Sequence, residues 1–412
     1  MTDLEIAPFD VNAIFAGGNP YPALARYRRE SPVHVQTRSW KGEENFPPKL
    51  DIFLFRHADC MTWLRDPRLG HWERPADAEQ PPPNTYAAVA DHFMLFRHPP
   101  VHTRLRGVAN LAFTPRKVEK QRAGVEEIAA RLASEMRDGE QPVELIGQFA
   151  YPLPMLVIAE VLGIPREDYR MFRSLAGDLA AAIDFPVDGL EAFIARVDQS
   201  TAELSDYFGH LVTARRADPR EDLISTLVHA VSEEGRLSEE ELIATCILLL
   251  VAGHETTVNL IGNGTLALLR NPDQWAALRD DPALARNATE ELLRYDAPVQ
   301  FTTRRVMEDI EIDGRHIPEG SVFHFMLSSG NRDEVAFTEP DRLDIRRDVG
   351  RIMSFGMGIH FCLGAPLARL EGEVAFATLV REFPHLSLAT AEPEWRPGAI
   401  FHGLAELPLN LG

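Results

Sequence analysis

Ten residues, FGMGIHFCLG at 355–364, gather three glycines, a histidine and a cysteine. A thiolate is a strong soft ligand, but Cys362 has no second Cys or His at finger-like spacing, so local sequence builds no tetrahedral zinc site. A single axial bond to a haem iron needs only one cysteine. The sulfur would have to be anionic, which requires donors and positive potential around it. Gly356, Gly358 and Gly364 let backbone N–H groups approach with no Cβ in the way. Pro366 suits the first turn of a helix whose positive dipole end would face the sulfur. Cys60 and Cys246 lack this frame and read as small buried hydrophobes.

Other groups carry weaker signals. His254-Glu255 begins an H-E-x-x-H zinc motif, but Val258 stands at the fifth position and the second ligand is missing. Glu255 beside Thr256 is a carboxylate next to a hydroxyl, and in a helix with a locally loosened ladder that pair can relay protons. Glu291 and Arg294, three residues apart in EELLRY, would by themselves be a surface ion pair of small value. His102 and Arg106 lie one helical turn apart and reach the same side of a ligand.

Taken together, Phe355, Gly356, Gly358, His360, Cys362 and Gly364 match F-G-x-G-x-H-x-C-x-G, which resembles the haem-binding signature of the cytochrome P450 family. LLLVAGHETT at 248–257 is similar to that family's oxygen-binding helix, A-G-x-[DE]-T-T. The resemblance implies a mainly α P450 fold, a large helical body with a smaller β-rich region. Haem b (iron protoporphyrin IX) would lie between the long central helix and the helix after the cysteine. In that arrangement Cys362 ligates iron, while Ala252 and Gly253 leave space above it. Glu255 and Thr256 are the catalytic acid and alcohol. His102, Arg106, Arg304 and His360 hold the haem propionates, and Glu291 with Arg294 forms a buried structural tie. Departures from the family pattern are Arg97-His98 where an apolar residue and Asp are usual, Val101 for Glu, and Glu334 for Pro.

The implied reaction is insertion of one oxygen atom from O2 into a C–H bond of a lipophilic small molecule. No flavin or iron–sulfur segment is visible in the chain, so electrons are expected from a separate ferredoxin and its reductase. Arg116, Lys117, Lys120, Arg122, Arg346, Arg347 and Arg351 are candidates for the basic docking patch. A peroxide-driven peroxygenase and a non-enzymatic haem sensor or carrier are the alternatives. The first lacks support because the acid and alcohol pair is present, the second because no helix-turn-helix is visible.

The elements that must position these groups are legible in outline. YPALARYRRE reads as a helix, VHVQTR and LDIFLFR as strands, and HADCMTWLRDPRL as a helix. Residues 72–100, rich in Pro and aromatics, read as an ordered lid. Residues 100–295 carry apolar positions at helical spacing broken by turn signals. After Pro298, short alternating runs with DG and PEG turns read as a small sheet. The chain, 1–412, is read as one domain with β-rich parts near 31–56 and 297–330. Substrate-chamber candidates are Phe93, Phe96, Leu248, Ala252, Val299, Gln300, Ile400 and Phe401, with His92, Arg97 or His98 able to steer a carboxylate.

A chain with 45% hydrophobic and 25% charged residues builds an ordinary globular core. Forty-two basic against 62 acidic residues, a net charge of −20, argue against nucleic acid or an anionic membrane as bulk partner. Three scattered cysteines, an N-terminus without signal features, and no apolar run longer than LIATCILLLVAG suggest a cytoplasmic protein, expected to be monomeric.

Overall fold

The computed structural model describes residues 7–15, 18–38, 49–71, 73, 82, 85–111, 113–184, 190–230 and 237–412. Residues 72, 74–81, 83 and 84 of the expected lid, and 185–189 beside the expected chamber, lie outside them.

The body is organised around one helix, Glu239–Arg270. Ser238 starts it with a capping box, its hydroxyl taking the Glu241 N–H while the Glu241 carboxylate takes the Ser238 N–H. Three glutamates in the first turn and Arg270 in the last suit the helix dipole. This helix is long and apolar enough to cross a membrane, but 72% of its most apolar window is buried inside the protein, so it is a core helix. It runs unbroken as α-helix past Thr256, without the loosened ladder expected from sequence. The π-helical turn lies instead at Ile146–Ala150, leading into Pro152–Leu162, which packs on the central helix.

The helix after the cysteine, Ala365–Glu382, has Gly364 as N-cap and a proline in its first turn. It packs against the central helix and Ala285–Tyr295. The two β-rich parts of the sequence join in one five-stranded sheet. Its spatial order is Val33–Arg38, Lys49–Leu54, Val322–Phe325, Thr302–Val306 and Leu69–Gly70. Only the pairing of Lys49–Leu54 with Val322–Phe325 is parallel. A separate hairpin, Ile310–Ile312 with Arg315–Ile317, turns at Asp313-Gly314, where φ is 49° and 75° as a primed turn requires.

One sequence-derived element is corrected. The helix expected over HADCMTWLRDPRL ends at Trp63, and Leu69–Gly70 is an edge strand pairing with Val306 and Arg305. Asp66 accepts the Arg68 N–H and Pro67 has no N–H to continue a helix.

Glu371, on the helix after the cysteine, is buried at 1% exposure, with one carboxyl oxygen that has no hydrogen-bond partner among the described residues. Burial pushes its carboxyl well above the usual carboxylate range. The folded state therefore keeps a proton that the unfolded chain releases above about pH 4.5, and stability falls as pH rises from there. Glu371→Gln should raise the melting temperature relative to wild type by an amount that widens between pH 5 and pH 8. Parallel melting curves for the two proteins would contradict it.

Candidate active site

The cysteine loop is built on backbone geometry. Gly356 and Gly358 have φ of +67° and +74°, and a Cβ on Gly358 would meet the Leu64 carbonyl oxygen at 2.7 Å. The loop folds back so that the Gly356 N–H donates to the Met353 carbonyl at 2.8 Å and the Cys362 N–H to that of Phe355 at 2.9 Å. These two glycines thus shape the turn. Gly364, at φ −80°, starts the helix, and places its N–H and that of Ala365 near the half-buried Cys362 sulfur. Burial pushes the thiol up, while these two N–H groups and the charges of Arg106 and Arg369 pull it down. Burial is the larger effect. Arg369 is held over the Phe355 ring at 4.5 Å and paired with Glu290.

Behind the loop, Glu291 and Arg294 are fully buried and paired through two bonds, 2.7 and 2.8 Å. Arg294 donates onward to the carbonyls of Asn331 and Pro340, and Glu291 accepts from the Asp344 N–H and Arg347. Asn331 bonds the Met353 N–H and Ser354, and Ser354 bonds the Leu293 carbonyl. One ion pair thereby fixes segment 331–347 and, through it, the start of the cysteine loop.

On the central helix most residues near Ala252 are buried, yet Ala252 is exposed and Gly253 and Thr256 are half-buried, an open stripe on one face. The Thr256 hydroxyl donates to the Ala252 carbonyl at 3.2 Å. Glu255 is buried and paired with Arg396, which also bonds Asn259 one turn along. Gly403 makes room for that arginine, since a Cβ there would lie 2.0 Å from the Asn259 Oδ1. His254 donates from Nδ1 to the Leu250 carbonyl at 2.9 Å and sets Nε2 3.7 Å from Glu255. Arg396, which sequence reading passed over, is more than a hundred residues from Glu255 and has no local signal.

A third cluster is made of bases. His102 and His360 have ring centroids 4.4 Å apart, and His102 Nε2 is buried with no partner among the described residues. Arg304 is buried, donates to the Thr303 carbonyl and the Thr302 hydroxyl, and makes no ion pair among the described residues. Burial lowers Arg304 to about 10, and burial with neighbouring positive charge lowers His102 to about 4 and His360 to about 3. Arg106 donates to the Phe361 carbonyl. Such a cluster, short of acceptors, fits the two carboxylates of a haem, just as Cys362 fits its iron.

Of the chamber candidates, Phe93 and Leu248 are buried, and Val299 bridges Phe401. Gln300 is fully buried; its N–H donates to the Ile400 carbonyl at 2.8 Å and its amide to the Ala297 carbonyl at 2.7 Å. Phe96, Ile400 and Phe401 are half-buried. Asp184, ending helix Tyr169–Ile183, accepts the N–H groups of Ala399, Ile400 and Phe401. Two of the basic-patch candidates are committed elsewhere. Arg122 pairs with Glu119 and Glu373, and Arg347 with Glu291 and the carbonyls of Thr338, Glu339 and Arg342.

The cytochrome P450 family profile matches residues 163–398. The chain belongs to the cytochrome P450 family, as a monooxygenase with a haem cofactor. It is 40% identical to the polyketide biosynthesis cytochrome P450 PksS of Bacillus subtilis over 401 residues, 95% of this chain and 96% of that protein. It is 40% identical to the vitamin D(3) 25-hydroxylase of Pseudonocardia autotrophica over 402 residues, 96% of this chain and 94% of that one. Its fold superimposes on P450BioI, solved with an acyl carrier protein bearing hexadec-9Z-enoic acid, with a TM-score of 0.86 at 35% identity, covering 95% and 98% of the two chains.

Removing one partner of a buried ion pair leaves a stranded charge, at a cost of about 3–5 kcal/mol. Glu291→Ala should lose roughly that much stability in urea unfolding, together with most haem retention. A loss within the ~0–1 kcal/mol of a surface pair would show that the tie is not a fulcrum.

Proposed function

We propose that this chain inserts one oxygen atom from O2 into a C–H bond of a lipophilic small molecule, with electrons from a separate ferredoxin and reductase. The observation that carries the reading is Cys362, set just before the start of a helix packed against the one that bears the Ala252, Gly253 and Thr256 stripe. Haem, when bound, supplies dioxygen activation and oxygen transfer through its thiolate-ligated iron.

The chain's own residues do the rest. Cys362 holds the iron, and His102, Arg106, Arg304 and His360 take the carboxylates. Ala252 and Gly253 leave one side of the site unobstructed. Thr256 stands on the same face with a hydroxyl able to pass a proton, and Glu255 would recharge it once its carboxylate swings from Arg396 and takes a proton from water. The apolar chamber candidates exclude water and suit a lipophilic substrate. The relatives' names, one from polyketide biosynthesis, one a vitamin D(3) 25-hydroxylase and one solved with a fatty-acid-bearing carrier protein, support the same class.

Electron entry is assigned to the face of the cysteine loop. There a cleft of about 430 Å³ is lined by Arg65, Arg351, Phe355, Met357, Phe361 and Arg369. Ile359 and Phe361 are exposed, as are Arg346, Arg351 and, on a helix that packs against Ala365–Glu382, Arg116, Lys117 and Lys120. An apolar centre with basic groups on the surface suits an acidic partner despite the net charge of −20.

Two measurements check the proposal. Thr256→Ala and Glu255→Gln should keep the rate of the first reduction but lower product formed per NADH consumed, with hydrogen peroxide rising in its place, and Arg396→Leu should shift the pH dependence of that ratio. Unchanged ratios in all three would contradict the relay. Arg116→Glu with Lys120→Glu should slow reduction by an acidic ferredoxin severalfold and flatten its salt dependence; an unchanged rate would remove these residues from the docking surface.

A further inference from the structure

The departure at Arg97-His98 has a structural counterpart. His71 follows directly on the edge strand Leu69–Gly70, whose Gly70 pairs with Arg305, so it emerges beside Arg304. The His98 ring lies along the backbone of His71, with Nε2 3.1 Å from the His71 nitrogen and 2.8 Å from its carbonyl oxygen. A Cβ on Gly70 would stand 1.9 Å from the His98 Cε1, so the strand must carry glycine for that ring to lie there. The carbonyl of His98 in turn accepts the His102 N–H at 2.8 Å. His71 and His102 are thereby linked through a single residue.

The His71 ring meets the His360 ring edge to face at 4.9 Å, on the same side of the cluster as His102. Its Nε2 is buried and has no hydrogen-bond partner among the described residues, like that of His102. Among the described residues, the titratable side chains that bear most on His71 are bases: Arg304, His360, His98 and His102. The nearby acid, Glu73, is bound to the His98 N–H and lies 4.0 Å from Arg97. A buried imidazole nitrogen left without a partner among bases is matched by a carboxylate.

We propose that His71 is a further ligand for a cofactor carboxylate, donating its ring N–H there, and that His98 is the positioning residue that holds it. The assignment rests on the haem reading above and adds to it a residue that no spacing in the motif indicates. The exchange at 98 then has a physical sense. An aspartate there would set a negative charge against the carboxylates, and the imidazole removes that repulsion while still gripping the strand.

The test uses the haem-loaded enzyme and follows haem transfer to excess apomyoglobin, together with the ferric/ferrous midpoint potential. Losing a hydrogen bond to a charged group corresponds to about a tenfold change or more, so His71→Ala should release haem roughly ten times faster. His71→Gln, which keeps a donor, should recover most of the difference. His98→Asp should release haem faster than wild type and move the potential to a more negative value. Wild-type release and potential in His71→Ala would overturn the proposal, as would His71→Gln releasing haem as fast as His71→Ala, since ring packing rather than donation would then be at work. A wild-type protein that takes up no haem would overturn the haem reading itself.

Discussion

A sulfur taken out of water resists ionisation, and the architecture around Cys362 answers that resistance. The loop turns at Gly356 and Gly358 to bring Cys362 to the mouth of a helix, where the N–H groups of Gly364 and Ala365 and the charges of Arg106 and Arg369 act against burial. Burial remains the larger effect, and these groups act against it. The ion pair of Glu291 and Arg294 belongs to the same problem. It reaches no ligand, but it fixes the segment that delivers the loop.

The same logic governs the other charged groups. Buried His102 and Arg304 and half-buried His360 have no acid paired with them among the described residues, as suits the proposed receipt of anionic groups. Buried Glu255 is instead paired with Arg396. The C-terminal segment ties two helices in place. Arg396 holds the acid of the central helix, and the N–H groups at 399–401 hold Asp184 at the end of helix Tyr169–Ile183. A chain with a strongly acidic total charge thus keeps its functional cations at a few local positions.

How much of this could be read from sequence depended on distance along the chain. Cys362 with its glycines, and Glu255 with Thr256, are local patterns and were legible. So were the central helix and the two β-rich parts, because apolar periodicity and turn residues act over a few positions. Leu69–Gly70 was missed because a two-residue strand has no periodicity and exists only through its partner Thr302–Val306. Arg396 and His71 were missed because their meaning lies in residues far along the chain. Arg122 and Arg347 looked like surface cations for the same reason, since the acids that bind them, Glu373 and Glu291, are distant in sequence. At Thr256 the motif marks a helix, and tertiary packing leaves its ladder unbroken.

The most direct test of the central claim is the spectrum of the haem-reconstituted, reduced, carbon-monoxide-bound protein, compared with that of Cys362→Ala. The account predicts a strongly red-shifted Soret band, the signature of a thiolate opposite carbon monoxide, in wild type and its loss in the variant. Identical spectra for the two proteins would contradict it, because the iron would then be held by some group other than Cys362.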